Sequence, residues 1–191
     1  MLKQIIPSKT RIKILELFYH HSSETYYLRQ VVRAVNEEVN AVKRELDILE
    51  DTKVLLKERR LNKVFYTLNK HYVFYEEFLK IFTKSLALSR QIMNNIPKLG
   101  KLKFAALSTK YTRGIAIRDD EIYLMLVGTV VVPEIAAIVA EAEKDFGRDI
   151  NYTVMTDDEY TFRKRNNDPF IWKFLRSPKV MLAGSEEDFL K

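Results

Sequence analysis

The stretch Leu28-Arg-Gln-Val-Val-Arg-Ala-Val35, followed by Asn36-Glu-Glu38, decides how the first half of the chain folds. The apolar residues of 28–35 recur at i, i+3, i+4 and i+7, which predicts a helix with one face on a core. Asn36 comes next, and asparagine tolerates the left-handed backbone that ends a helix. The sequence therefore predicts a short helix, a turn after residue 35 and a new element from residue 39.

A second helix is predicted from residue 39 onward, because its apolar and polar residues fall on opposite faces. The apolar stripe is Val39, Val42, Leu46 and Leu49. The opposite face carries Asn40, Lys43, Arg44 and Asp47. That face has no apolar surface to bury, so we expect it to be exposed.

Residues Val54–Leu68 are predicted to form two short strands joined by a turn, a basic hairpin. Its polar and cationic side chains are Lys57, Arg59, Arg60, Asn62 and Lys63. Two short helices with a polar, cationic outer face, followed by such a hairpin, suit the major groove of duplex DNA and its flanking phosphates. The alternative is that this cluster is only a solvated cationic surface.

Residues 8–68 resemble a winged helix-turn-helix of the ArsR-like or MarR-like type, with Asn40-Ala-Val-Lys-Arg-Glu-Leu46 at the start of the recognition helix. The resemblance implies a transcriptional regulator that binds double-stranded DNA. Asn40, Lys43 and Arg44 would then face base edges or nearby phosphates, and the hairpin cations would contact the flanking backbone. One departure is Lys53, where such domains usually place a glycine.

The segment before residue 28 completes this predicted domain. Pro7 and Ser8 signal the start of a helix that continues to His20 and His21, and Tyr26-Tyr27 is predicted to be a short strand that pairs with the hairpin. Adjacent histidines diverge on a helix, so the two rings do not face one ion. We therefore expect no metal site there.

Composition and charge limit the classes of protein. Residues 1–98 contain 18 Lys and Arg against 11 Asp and Glu, a net +7, whereas the rest contains 14 against 15, a net −1. The basic half is where an anionic partner would bind.

The chain has no cysteine, which excludes disulfides and thiolate chemistry. It also has no apolar run long enough for a membrane span or signal peptide. We expect a cytoplasmic protein without a membrane partner.

Residues 69–95 show one long helical pattern, rich in aromatic residues, that covers more than one face. Such a helix needs a partner on its second side. We favour a homodimer interface, since paired DNA half-sites call for a two-fold protein; the alternatives are coverage by the second domain and, more remotely, an aromatic cofactor pocket. The predicted organisation is a DNA-binding domain over 1–69, a linking and dimerisation helix over 70–98 and a second domain over 99–191.

The second domain is predicted to be α/β, because strands and helices alternate along it. The predicted strands are Leu102–Leu107, Ile122–Val127, a segment containing Ile150, Tyr152 and Val154, and Lys179–Leu182. The predicted helices are Pro133–Phe146, one that begins at the capping box Thr156–Glu159, and one that begins at Asp168-Pro169 and ends near Leu175. The whole chain is thus expected to be an α+β protein of two domains.

Residues 101–184 resemble the minimal nucleotidyltransferase family, most clearly over Gly147–Val154. That family holds a triphosphate with a Gly-Ser turn and binds two magnesium ions with an Asp-x-Asp pair. Here Thr109-Lys110 stands in place of Gly-Ser, and Glu121-Ile-Tyr123 stands in place of Asp-x-Asp, while Arg113 and Gly114 are kept. Tyrosine is not a magnesium ligand, so the resemblance implies a degenerate nucleotide site.

Two functions follow from these patterns. The first is a DNA-binding regulator that is not an enzyme and has no cofactor or metal, whose second domain serves dimerisation, a partner protein or an unknown small ligand; Lys110 and Arg113 would attract a phosphate there. The second is a nucleotidyltransferase that uses the winged helix to bind its substrate. The missing carboxylates favour the first. In that interpretation Glu121 is a solvated charge at a strand edge, and Asp119-Asp120 is a turn.

Overall fold

The computed structural model describes residues 2–147 and 149–191, and only the backbone of Lys3 and Phe146. It is an α+β structure that divides into two compact units, Met1–Phe82 and Thr83–Lys191. The predicted class, α+β with two units, is confirmed. The division falls within the segment predicted to link the two domains.

The first unit contains helices around a small antiparallel sheet. In chain order its elements are α1 Leu2–Ile5, α2 Lys9–His20, β1 Thr25–Tyr27, α3 Leu28–Val35, α4 Val39–Asp51, β2 Leu55–Arg60, β3 Lys63–Leu68 and α5 Tyr75–Ser85, the last of which ends just past the boundary. The strand order is β1-β3-β2. The predicted helices, the hairpin and the short strand at Tyr26-Tyr27 are all confirmed.

The core of the first unit is built from the predicted apolar stripes. Val31 and Val35 of α3 are buried with Leu46 of α4. Asn36 ends α3 with a φ of 48°, the left-handed conformation expected of it. Val39 is an exception, since it is half exposed at the first turn of α4, where the helix begins beyond the edge of the core.

The turn after α4 has a lysine, Lys53, at a position with positive φ that would favour glycine. Lys53 has a φ of 62°, so a lysine takes the left-handed conformation that a glycine would adopt with less strain. The side-chain amide of Asn69 donates to the Lys53 carbonyl at 2.8 Å. This contact ties the turn to the end of the hairpin and supports the unfavourable backbone.

The prediction of one continuous helix over residues 69–95 is wrong. Residues 69–74 form turns, because the Asn69 side chain accepts the His71 N–H at 3.0 Å and so competes with helical hydrogen bonding. The helical segment is also broken at Leu86, whose extended backbone (ψ 149°) separates α5 from α6, Ala87–Asn94. The helical spacing of apolar residues thus continues across residue 86 although the backbone is not helical there.

The second unit is a mixed sheet with helices on both faces. After α6 its elements are a 3₁₀ turn Ile96–Lys98, β4 Gly100–Ser108, α7 Thr109–Thr112, β5 Leu124–Val130, α8 Val132–Phe146, β6 Tyr152–Met155, α9 Asp157–Arg165, α10 Pro169–Arg176, β7 Lys179–Ala183 and α11 Glu186–Leu190. The strand order is β6-β5-β4-β7, and only the β5–β6 pair among these is parallel.

The predicted strands and main helices of this unit are confirmed, with shifted ends. Ile122 and Ile150 lie just before β5 and β6, and the sequence missed the short helices α7 and α11. The apolar run of β5 is buried on both sides, as such a run predicts. Leu124 and Leu126 face one core, and Met125 and Val127 face the other.

A buried carboxylate joins α4 to the start of α2. The Glu45 side chain is only 4% exposed. Its Oε1 accepts from Ser8 Oγ and its Oε2 from Arg11 Nε, each at 2.7 Å. Burial alone would raise the pKa of Glu45, but the hydrogen bonds from Ser8 and Arg11 outweigh it and lower the pKa below the usual 4.5.

We expect Glu45→Ala to lower the free energy of unfolding of the first unit by about 3 kcal/mol, because it leaves a partly buried arginine without its partner. The measurement is urea unfolding at pH 7. Glu50→Ala is the matched control on the same helix, because Glu50 is nearer the solvent and pairs at 3.5 and 3.7 Å with Lys53 and Lys57; its loss should be below about 1 kcal/mol.

The same carboxylate makes stability depend on pH. Since the folded pKa lies below the unfolded value, its contribution is present above about pH 4.5 and is lost as the pH falls through the folded pKa. Glu45→Gln should flatten this acid dependence. Equal losses of unfolding free energy for Glu45→Ala and Glu50→Ala would show that the buried pair stabilises the first unit no more than an exposed pair does.

Candidate nucleic-acid interface and candidate nucleotide site

The outer face of α4 is exposed, as its sequence predicts. Asn40, Lys43 and Arg44 are all exposed and lie at i, i+3 and i+4, so they share one face of the helix. The first amides of α4 are already engaged, because Glu38 Oε2 accepts from the N–H groups of Asn40 and Ala41 at 2.8 and 3.1 Å. Attraction for an anion on this face must therefore come from the side-chain cations.

The cations of the basic hairpin lie on two faces of its sheet. Register pairs Lys57 with Tyr66, which is buried, so Lys57 and its neighbour two residues on, Arg59, share the core-side face. Arg60 and Lys63 pair with each other on the opposite face. The sequence grouped these four cations, but the pleat of the strands separates them into two pairs.

The outer pair is held in place by neighbouring side chains. Arg60 Nη2 donates to Glu58 Oε2 at 2.7 Å, and its guanidinium carbon lies 5.6 Å from the centre of the Phe65 ring. Lys63 Nζ lies 4.6 Å from the centre of the Tyr27 ring. These contacts orient both cations, and Glu58 partly neutralises Arg60.

Three other cations have no carboxylate within ion-pair distance in the described part of the chain. They are Lys43 and Arg44 on α4 and Arg59 on the hairpin. In contrast, Lys57 Nζ lies 3.7 Å from Glu50 Oε2 of α4. The first unit thus presents uncompensated positive charge on α4 and on the core-side face of the hairpin.

The tip of the hairpin is a two-residue loop, Leu61-Asn62, between the paired residues Arg60 and Lys63. Leu61 has a φ of 52° and is 96% exposed. A left-handed conformation costs a leucine about 1 kcal/mol, and an exposed leucine recovers nothing by burial. Asn62 is also exposed. The sequence analysis included Asn62 among the hairpin-tip residues but not Leu61. The unusual presence of a leucine in a predicted turn was the signal that could have identified it.

The residues of the predicted nucleotide site lie around α7. Thr109 is buried and its hydroxyl donates to the Pro178 carbonyl at 3.3 Å, which commits it to the fold. The Ser108 hydroxyl, which sequence reasoning missed, accepts the Lys110 N–H at 3.3 Å and caps α7. Arg113 and Gly114 end the helix, and Gly114 has a φ of 66°.

Glu121 is not the solvated charge that the sequence predicted. Its side chain is only 15% exposed. Lys110 Nζ lies 2.9 Å from Oε2, and Lys173 Nζ of α10 lies 3.5 Å from Oε1. The hydrogen bond from Lys110 lowers the pKa of Glu121. The sequence could not show this pairing, because α10 brings Lys173 to this carboxylate from 52 positions along the chain.

The neighbouring carboxylate is held in the same way. Asp119-Asp120 is a turn, as predicted, and Lys173 Nζ donates to Asp120 Oδ2 at 2.6 Å. This hydrogen bond lowers the pKa of Asp120. One lysine therefore bridges two carboxylates, and a small cleft beside them is lined by Ser108, Phe170, Phe174 and Ser177 together with these charged residues.

These residues do not fit the two magnesium ions of the family that the sequence resembles. Tyr123 is buried, and its hydroxyl donates to the Ile115 carbonyl at 2.9 Å, so it faces a protein partner. Both oxygens of Glu121 already lie beside lysine ammonium groups. Within the described residues, no three side chains of His, Cys, Asp or Glu converge as metal ligands would.

Comparison with models of known protein families, with curated proteins and with solved structures finds no match to this chain. The two resemblances seen in the sequence therefore stay predictions. No helix in the described ranges has the length and apolar character needed to cross a membrane.

We expect Glu121→Gln to lower the free energy of unfolding of the second unit by about 1 kcal/mol, because it removes the partly buried negative charge that two lysines share. Urea unfolding at pH 7 measures this. Asp119→Asn, an exposed position in the same turn, is the control and should change it by less than about 0.5 kcal/mol. Equal effects would mean that the lysines do not stabilise Glu121.

Proposed function

We propose that the protein is a DNA-binding transcriptional regulator whose first unit is a winged helix-turn-helix domain. The observation that carries the proposal is the exposed face of α4, where Lys43 and Arg44 have no ion-pair partner among the described residues, beside a basic hairpin. A helix and a hairpin of this kind match a major groove and its flanking phosphates in size and charge. We propose that its partner is double-stranded DNA and that it acts in the cytoplasm.

Each group of side chains has a proposed role. Asn40, Lys43 and Arg44 face base edges or nearby phosphates, because they share the outer face of α4. Arg59 contacts the phosphate backbone with its free guanidinium, supported by Lys57. The two outer hairpin cations approach a second stretch of backbone, because they lie on the opposite face of the sheet.

The second unit is proposed to be a degenerate nucleotidyltransferase-like domain that is not an enzyme. The support is that Lys110 and Lys173 lie beside the two oxygens of Glu121, where they supply the positive charge that a metal ion would otherwise bring. Such a domain serves dimerisation, binding of a partner protein, or sensing of a small ligand. This role is compatible with its small net charge of −1 over residues 99–191.

The test of DNA binding is the salt dependence of affinity. We expect wild-type protein to bind selected duplexes at low ionic strength, and Arg59→Ala to reduce the slope of log K against log salt by about one unit, because one phosphate contact is lost. Arg60→Ala should reduce it by less, because Glu58 already pairs with Arg60. Fluorescence anisotropy at several salt concentrations measures both.

Lys101→Ala is the matched control, because Lys101 is an exposed cation on β4 of the second unit. It should leave the slope unchanged. If wild-type protein does not retain any duplex at low salt, or if Arg59→Ala and Lys101→Ala behave alike, the proposed interface is wrong.

We also propose a homodimer, formed through an apolar stripe that begins at Phe74, just before α5, and continues along that helix. Phe74 and Ile81 are 53% and 39% exposed, and half-buried Phe78 lies between them at helical spacing. Two antiparallel copies would place Phe74 against Ile81 of the partner. Glu77 would then lie beside Lys80 of the partner, so the charges of the stripe are self-complementary.

We expect Ile81→Lys to shift the protein from dimer to monomer in sedimentation velocity, because it places a charge in the apolar stripe. Val132→Lys is the control, since Val132 is a similarly exposed apolar residue on α8. A monomeric wild-type protein, or dissociation by both substitutions, would rule out this interface.

A further inference from the structure

The second unit contains another cleft, with a volume of about 400 Å³, which is within the range of ligand sites in proteins. We call it the α9 cleft, because α9 lines it together with parts of α10, α11 and β4. On β4 the lining residue is Lys103, near the start of the strand, whereas Ser108 and the predicted nucleotide site lie at its end. Residues 103 and 108 are roughly 16 Å apart along an extended strand, so the two sites are separate.

The α9 cleft is more basic than the unit that contains it. Four of its lining side chains are basic and only Asp157 and Asp188 are acidic, although residues 99–191 carry a net charge of −1. Both acids are paired within the cleft. Lys103 Nζ donates to the two oxygens of Asp157 at 2.7 and 2.8 Å, and Lys191 Nζ lies 3.6 Å from Asp188 Oδ1. The other two basic side chains therefore give the cleft a positive charge that its acids do not balance.

Those two side chains are Lys164 and Arg165, in the last turn of α9. Neither has a carboxylate within ion-pair distance among the residues that the structure describes. The half-buried Lys164 ammonium donates to the Phe189 carbonyl at 3.2 Å and lies 5.6 Å from the centre of the Tyr160 ring. Loss of water around this ammonium lowers the pKa of Lys164. An anion bound in the cleft would supply the opposite charge that the protein does not.

The α9 cleft also has an apolar wall. It is lined by Trp172 of α10 and by Leu190 of α11, which is 44% exposed. The Trp172 Nε1–H already donates to the Lys164 carbonyl at 3.2 Å, so the indole offers ring surface rather than a hydrogen-bond donor. The buried rings of Phe104 and Tyr160 complete this part of the lining. Aromatic rings pack best against other flat groups, so this wall favours a flat apolar group.

We propose that the α9 cleft binds a small organic anion with a flat, apolar body. Lys164 and Arg165 bind the negatively charged group, and Trp172 and Leu190 contact the apolar body. Carboxylates and phosphate esters share this chemistry, so the experiment includes one of each. The inference goes beyond the proposed function and does not depend on it, because every residue of the site belongs to the second unit.

Trp172 is the single tryptophan of the chain, so its fluorescence reports directly on the α9 cleft. We expect phenylacetate and phenyl phosphate to change this fluorescence saturably, with a dissociation constant of about 1 mM for the tighter of the two, as expected of so small a ligand. Acetate lacks the ring and phenethyl alcohol lacks the charge, so each should bind at least about tenfold more weakly. Isothermal titration calorimetry gives an independent measure of the same constants.

Lys164→Met and Arg165→Ala should each weaken binding of the tighter anion by about tenfold, because each removes one of the two cations that bind it. Lys164→Met should not lower the melting temperature, because an apolar chain of similar length replaces a half-buried charge. Arg165 is exposed, so Arg165→Ala keeps the test decisive if Lys164→Met does not fold.

Lys144→Ala is the matched control. Lys144 is an exposed lysine in the last turn of α8, in the same unit, and it does not line the cleft. Its dissociation constant should stay within about twofold of wild type, because the two positions are independent. Equal losses for Arg165→Ala and Lys144→Ala would show only a general effect of lost positive charge and would overturn the inference.

Lys110→Ala tests whether the anion binds instead beside Glu121, since Lys110 Nζ lies 2.9 Å from that carboxylate. A loss of binding in Lys110→Ala without a loss in Lys164→Met or Arg165→Ala would overturn the inference. No saturable binding of either aromatic anion, or equally tight binding of phenethyl alcohol, would overturn it as well. A protein that binds phenylacetate or phenyl phosphate but no duplex would keep this inference and disprove the proposed function.

Discussion

The first unit depends on the buried carboxylate of Glu45. Ser8 accepts the Arg11 N–H at the start of α2 and donates its hydroxyl to Glu45, so one serine both caps a helix and fixes its neighbour. Arg11 completes the contact from the first turn of α2. Because a buried carboxylate without these donors would be strongly unfavourable, the rotation of α4 is restricted. That restriction directs Lys43 and Arg44 outward.

The second unit also contains a carboxylate that is paired with cations, but the pairing is less buried. Glu121 is also paired with cations, but it lies nearer the solvent and its donors are flexible lysines. Lys173 spans Asp120 and Glu121, so a helix from late in the chain closes over carboxylates that precede β5. Positive side chains therefore occupy the surroundings of these carboxylates, and Phe170 and Phe174 line the small cleft beside them.

Local patterns predicted those elements whose signals are local. The left-handed Asn36, the cap at Thr156 and the Gly147 that ends α8 all act within a few residues, and each lies where its sequence places it. The break at Leu86 was missed, because the apolar spacing of residues 69–95 continues while the backbone does not. Glu45 was also missed, although a charge within the buried stripe of α4 was a visible signal.

The sequence by itself determined the order of helices and strands, the basic character of the first half and the cations of its hairpin, because periodicity, caps and charge are properties of neighbouring residues. Only the tertiary structure decided which of those cations are free. Glu50 of α4 pairs with Lys57 of the hairpin, and acids or lysines far along the chain reach Arg11 and Glu121. Electrostatic pairing depends on distances of a few ångströms between residues far apart in the chain, and no local pattern records those distances.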